Sequence, residues 1–212
     1  MLDDDFPADR LLHRRSLLGA ALASFGLVIA GDAKAESAQR AGAVESVKGE
    51  AFAEASAARR VLDRNAPVFL GDQCGTGAES RLSMQLGGNT RLRLGEKARI
   101  TIDRYLVSAG GELTLQSGPM LFDRAAGAAP TAIQIRTPFG LIAVRGTRFF
   151  AGPSRAVFGV FVERGTVTVT AGLGTVTLHA GEGTDIRYPG DAPSPPSRWG
   201  PPRIREALAT VS

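Results

Sequence analysis

From Ala43 onward, apolar and polar residues alternate with a period of two in short runs. These are Leu82/Met84/Leu86, Leu92/Leu94, Ile100/Ile102, Leu113/Leu115, Ile133/Ile135, Val167/Val169 and Val176/Leu178. A strand sends successive side chains to opposite faces, so each run predicts a strand with one apolar face. The intervening Ser, Gln, Arg, Thr and Glu supply the polar face that a half-buried sheet needs. Breaks containing glycine fall between the runs at Gly71-Asp72, Gly75-Thr76-Gly77, Gly87-Gly88-Asn89, Gly110-Gly111, Gly118-Pro119, Gly165, Gly172 and Gly181. Each predicts a turn, because glycine adopts backbone angles that strain other residues. The fold class is all-β, built of many short strands as a sandwich or jelly roll, a barrel or a β-solenoid.

The edges of this pattern are less regular. The alanine-rich stretch Ala51 to Arg60 predicts a strand over 50–55 and then a loop, and Asp123 to Pro130 reads as a longer connection. After Tyr188, Pro189, Pro193, Pro195, Pro196, Pro201 and Pro202 predict a linker, since proline does not enter a sheet interior. Ile204 to Val211 predicts a short C-terminal helix. The expected organisation is therefore a leader over 1–35, a β domain over 42–188 and a proline-rich tail over 189–212.

The leader is read from its own pattern. Arg14 and Arg15 stand directly before an apolar run from Leu17 to Ala30, too short to span a bilayer as a helix. The run ends at Ala33-Lys34-Ala35, and small residues at Ala33 and Ala35 suit signal-peptidase cleavage before Glu36. The arginine pair resembles the twin-arginine export motif. The expectation is a periplasmic protein without a stable membrane span after cleavage, or one with an N-terminal anchor if the leader stays attached.

Composition narrows the chemistry. Among 212 residues, 43% are hydrophobic, enough for a real core, while only 6% are aromatic and 26 are glycine, which suits strands and turns over packed helices. The net charge of +4 favours anionic partners, but the basic residues form no dense run. Without an aromatic platform between them they do not predict nucleic-acid binding, and export removes the chain from cytoplasmic nucleic acid. Cys74 is the single cysteine, so neither an intramolecular disulfide nor a thiolate metal cluster is expected. His179 is the single histidine after Glu36, which leaves a catalytic triad or histidine metal site resting on one side chain of an alternating strand. No phosphate-cradling glycine loop with its lysine is present. The reading is a non-enzymatic protein without a cofactor or metal.

Three stretches together resemble the FecR domain family. The first is Leu70-Gly71-Asp72-Gln73-Cys74-Gly75-Thr76-Gly77-Ala78-Glu79-Ser80, with a Gly-Asp turn, a Thr-Gly turn and a following serine. The second is Ile135-Arg136-Thr137-Pro138-Phe139-Gly140 leading into Val144-Arg145-Gly146-Thr147-Arg148-Phe149. The third is Val162-Glu163-Arg164-Gly165-Thr166, answered by Ala180-Gly181-Glu182. The resemblance spans about Gly42 to Arg187. It implies a β-solenoid-like periplasmic domain, used in the best-known members to relay occupancy of an outer-membrane siderophore receptor to a cytoplasmic sigma factor. The stretches flanking the domain are shorter than the modules those members carry, so the expectation is the periplasmic domain on its own.

Five residues are candidates for ligand or partner binding: Asp72, Arg136, Arg145, Arg148 and Glu163. An arginine beside a flexible glycine, as in Arg145-Gly146-Thr147, can clamp a carboxylate or phosphate in a fork. The competing expectation is that Arg145 pairs internally with Asp72 or Glu163, and that Asp72 closes an Asx-type turn. The expected function is sensing or interaction, possible ligands being an envelope protein or a small anion such as a ferric-citrate-like complex or a glycan, in iron or envelope signalling. A structural envelope protein without sensing is the alternative, and a carboxylate-dependent envelope hydrolase using Glu163 or Asp72 a third.

Overall fold

The computed structural model describes residues 39–56, 58–106, 110–128 and 131–212. The export residues Arg14, Arg15, Ala33 and Ala35 lie outside the described residues. In chain order the elements are β1 (Arg40–Lys48), β2 (Ala51–Ala55), β3 (Ala58–Val61), β4 (Pro67–Phe69), β5 (Gln73–Thr76), β6 (Arg81–Leu86), β7 (Thr90–Leu94), β8 (Arg99–Leu106) and β9 (Gly110–Ser117). They continue as β10 (Met120–Arg124), β11 (Ile133–Thr137), β12 (Gly140–Ser154), β13 (Val157–Ala171), β14 (Gly174–His179), β15 (Glu182–Ile186), β16 (Ser197–Arg198) and α1 (Pro201–Ala209).

The architecture is all-β, as the alternation predicts. One curled half-barrel sheet runs in the order β3-β2-β5-β8-β9-β11-β12-β10-β7-β6-β1-β4, with β13 adding β14 and β15 beyond β12. Neighbours pair antiparallel except β9 with β11, which are parallel. The alternating residues Leu82, Met84, Leu92, Leu94, Ile100, Leu113, Leu115, Ile133, Ile135, Val167 and Val169 are all buried in one cluster. The sheet's curl thus closes its apolar face on itself, which is how a single sheet buries a core.

Three local expectations are corrected. Gly75-Thr76 is not a turn but part of β5, and Gly75 is there because the Phe52 ring lies against it: a Cβ would sit 2.5 Å from Phe52 Cζ. The loop expected after Ala55 contains β3, paired to β2 through Phe52 with Val61 and Ala53 with Arg60. Gly165 does not end a strand but lies inside the fifteen-residue β13.

Gly165 faces Gly146 of β12, and the two explain how such long strands keep an inward face. In β12 both Val144 and Phe149 are core residues, and in β13 both Val162 and Val167 are, an odd step of five in each case. Strict alternation would send one of each pair outward. The ladder between β12 and β13 shifts register between Arg145 and Arg148, and Gly146 and Gly165 take φ of 68° and 88°. This is a β-bulge: an extra residue is absorbed and the side-chain phase is reset. Close packing also holds Gly165, where a Cβ would meet Thr147 Cγ2 at 2.7 Å.

The proline-rich stretch after Tyr188 joins the sheet's outer face. Ser197 and Arg198 form the short edge strand β16 against Gly183 and Glu182. Trp199 then enters a second cluster with Leu121, Phe150, Phe161, Ala207 and Val211. Leu121, Phe150 and Phe161 are the outward-facing apolar residues of β10, β12 and β13, and α1 covers them. Among the described residues no helix is long and apolar enough to cross a membrane.

Candidate functional site

The bulge in β12 sorts the arginines around it. Arg145 precedes it and Arg148 follows it, and both point away from the core, but into different surroundings. Arg148 lies between β10 and β13 in a row of charges that crosses six adjacent strands. It donates Nε–H to Glu163 Oε2 at 2.5 Å and Nη1–H to Asp123 Oδ2 at 2.8 Å. Arg164 donates to Asp123 Oδ1 at 2.9 Å and to the Arg124 carbonyl at 2.6 Å. Further along, Arg91 forks onto Glu45 at 2.6 and 2.9 Å, and Ser83 donates to the same carboxylate at 2.8 Å.

These are paired charges, and their protonation equilibria follow. The Arg91 hydrogen bonds hold the Glu45 carboxyl below the usual carboxylate range. The bond to Glu163 pushes Arg148 up. The expected candidates Arg148 and Glu163 are therefore partners of each other and of the sheet. Forked and shared contacts of this kind fix side-chain orientation across strands. They leave little unspent capacity for a ligand.

Asp72 is also spent within the fold. It is buried, accepts from the Phe69 N–H at 2.7 Å and pairs with Arg60. The carboxylate closes its turn backward, onto a residue three positions earlier. Arg136 extends from β11 to Glu112 on β9 at 2.5 Å, in an exposed pair. The internal partner proposed for Arg145 is thus corrected twice: Asp72 is taken by Arg60, and Glu163 by Arg148.

Arg145 itself has no hydrogen-bond or ion-pair partner among the described residues. It is exposed beside an open groove of about 570 Å³ lined by Ala132, Ala143, Val144, Thr166 and Thr168. The floor follows from register, since Arg145 stands opposite Thr166 and Ala143 opposite Thr168. β14 continues this face with Thr177 opposite Thr168 and His179 opposite Thr166. Among the described strands β14 pairs with β13 alone, so one side of its backbone is unpaired. The arrangement offers one free guanidinium, short hydroxyl and methyl groups, and a strand edge. Among the described residues it brings no acid and base together as a pair. His179 lies on the exposed face, its backbone N–H bonded to Glu182 at 2.8 Å.

Sequence reasoning missed two charged features. Arg124 is buried on β10, donating to Thr131 Oγ1 at 2.7 Å, at a position where alternation alone predicts an apolar residue. Asp123 joins two arginines, and only the pairing of β10 between β7 and β12 reveals it.

Cys74 is fully buried, and burial together with the nearby Asp72 carboxylate pushes its thiol up to about 12. The thiolate is the reactive form. Alkylation by iodoacetamide at pH 8 is therefore expected to be about a thousandfold slower in the native protein than in urea, as counted by mass spectrometry. Labelling at similar rates in both states would contradict the burial.

The fold is shared with solved structures. Two crystal structures of a protein described as a candidate anti-sigma factor from Parabacteroides distasonis, at 1.65 and 2.50 Å resolution, each superpose with a TM-score of 0.54 and 14% identity. Each match covers 64% of this chain and 64% or 63% of the solved one, so this chain spans just under two thirds of their length. No curated protein matches the sequence. Residues 72–168, which run from the Asp72 turn through both bulged strands to the floor of the Arg145 groove, match the family model described as FecR protein, and the chain carries a domain of the FecR family.

Proposed function

We propose that this chain is an exported sensing or interaction module of the FecR type, which recognises an acidic segment of an envelope protein at the β12–β14 face. One observation carries the reading: of the five arginines and carboxylates singled out from the sequence, Arg145 alone is exposed and unpaired. An isolated guanidinium beside a strand edge suits a peptide that supplies both a carboxylate and a backbone. The carboxylate takes the fork of Arg145, and the backbone extends the sheet at β14. The periplasm is the compartment that the Arg14-Arg15 leader supports, and signalling is the role that the FecR match supports. The likeness of the fold to a candidate anti-sigma factor agrees with that role.

Photo-crosslinking from position 168 in cells tests the site, with position 85 on the far strands as the control. A discrete adduct is expected from position 168 only. Arg145→Glu is expected to weaken purified complex formation by about tenfold or more, because it turns attraction into like-charge repulsion. It should leave the melting temperature unchanged, since the side chain has no partner among the described residues. An adduct that persists undiminished in Arg145→Glu would remove Arg145 from the interface.

A further inference from the structure

A second group of cations lies on strands that the Arg145 groove does not use. Where the end of the chain after α1 meets β1, β6 and β7, Lys48, Arg81 and Arg93 line a cavity of about 350 Å³, with Ser83, Val47 and Val211. Glu45 also lines it, but both its oxygens are engaged by Arg91 and Ser83. Lys48 and Arg93 have no hydrogen-bond or ion-pair partner among the described residues. Arg81 donates Nη1–H to the Ser80 carbonyl at 2.9 Å, while its Nε is buried and lacks an acceptor.

The register makes this arrangement costly. Lys48 stands directly opposite Arg81 across β1 and β6, and like charges at opposed positions destabilise a sheet. The neighbouring Arg93 stands opposite Ser83, and the one carboxylate that acts on it, Glu45, is already held by Arg91 and Ser83. Arg91, Arg148 and Arg136 on the same sheet are matched to carboxylates, which leaves these cations, with Arg145, as exceptions. Lys48, Arg81 and Arg93 thus stand around one cavity without a carboxylate hydrogen-bonded or ion-paired to any of them, a charge balance that an anion would complete.

We propose that this cavity binds a phosphate monoester carrying a small organic body. A carboxylate brings a single charge, whereas a phosphate monoester carries about −1.5 to −2 near neutral pH and three acceptor oxygens, which suits a cavity lined by three cations. The cavity is larger than the phosphate group, and Val211 beside it offers the organic part an apolar contact. The same chemistry is available from a soluble ester or from a lipid headgroup.

Calorimetric titration of glycerol 3-phosphate into the full chain and co-sedimentation with phosphatidylcholine vesicles containing phosphatidic acid test the proposal. Saturable binding of the ester supports a soluble ligand, and binding to the vesicles alone supports a lipid. In either case Arg93→Ala is expected to weaken binding by about tenfold without lowering the melting temperature. Arg145→Glu should leave it unchanged, which separates this site from the proposed partner face. Absence of binding to both probes, or binding that Arg93→Ala does not weaken, overturns the assignment.

Discussion

Asp72→Ala is expected to lower the melting temperature by about 5–10 °C, which corresponds to a loss of about 2–3 kcal/mol in a domain of this size. The side chain is 2% exposed, and its carboxylate accepts from the Phe69 N–H and from Arg60. Alanine removes both bonds and leaves a half-buried backbone donor without an acceptor. The loss stays below that of a fully buried ion pair, because Arg60 is 33% exposed and turns toward water. Arg60 also keeps its bond to the Pro67 carbonyl at 2.8 Å. The backbone contacts of the turn, Asp72 N–H to the Phe69 carbonyl and Ile102 N–H to the Asp72 carbonyl, survive the substitution. Asp72→Asn restores an acceptor for Phe69 but not the charge, so it should recover roughly half the loss. Thermal melts of the three proteins by circular dichroism decide the matter. An alanine variant that melts with the parent would mean that the carboxylate is not needed by the turn and is held for something else.

The contrast between Asp72 and Arg145 shows what could be read from the sequence. A buried aspartate after glycine was legible as a turn residue, since residue type and local sequence set that role. The paired state of Arg148 was not legible, because its partners Asp123 and Glu163 come from β10 and β13, whose adjacency to β12 is a matter of topology. Alternation identified the inward residues of most strands but not their order, which places β10 between β7 and β12 and sets β9 parallel to β11. One signal was present and unused: the odd spacings Val144 to Phe149 and Val162 to Val167, each spanning a glycine, mark paired bulges rather than breaks. Reading Gly165 as the end of a strand concealed the continuity that separates the environment of Arg145 from that of Arg148.

The tail presents the same limit from the other side. Proline content predicts a linker, yet the packing of one tryptophan outweighs it. Trp199 is 6% exposed, stacks on Phe161 with centroids 5.2 Å apart and carries the Arg203 guanidinium 3.6 Å above its ring. The sheet is shaped to receive it: a Cβ on Gly183 would fall 2.3 Å from Trp199 Nε1, and one on Gly159 would fall 2.8 Å from Cη2. Those glycines recorded the docking, but only to a reader who knew that Trp199 lay against them.

Trp199→Ala is expected to cost about 3–5 kcal/mol, the range for deleting a large aromatic from a packed site. The loss should fall unevenly. α1 has nine residues, begins at Pro201-Pro202 and has no side-chain cap at Gly200. A helix of that length does not hold itself together in water, so its order depends on what it packs against. With the indole gone, Leu121, Phe150 and Phe161 lose their cover, and the Arg203 fork onto Asp185, at 2.5 and 3.0 Å, loses the ring beneath it. Hydrogen exchange read by mass spectrometry should show residues 203–211 losing protection first. β6, β7 and β10, whose buried residues belong mainly to the other cluster, should stay protected until global unfolding. Trypsin should cut at the exposed Arg205 at least about tenfold faster in the variant, following the population of the open form. Trp199→Phe keeps a ring over Phe161 and should restore most of the protection. If residues 203–211 stayed as protected in Trp199→Ala as in the parent, the tail would be held by the Arg203–Asp185 fork instead, and Arg203→Ala would then be the variant that releases it.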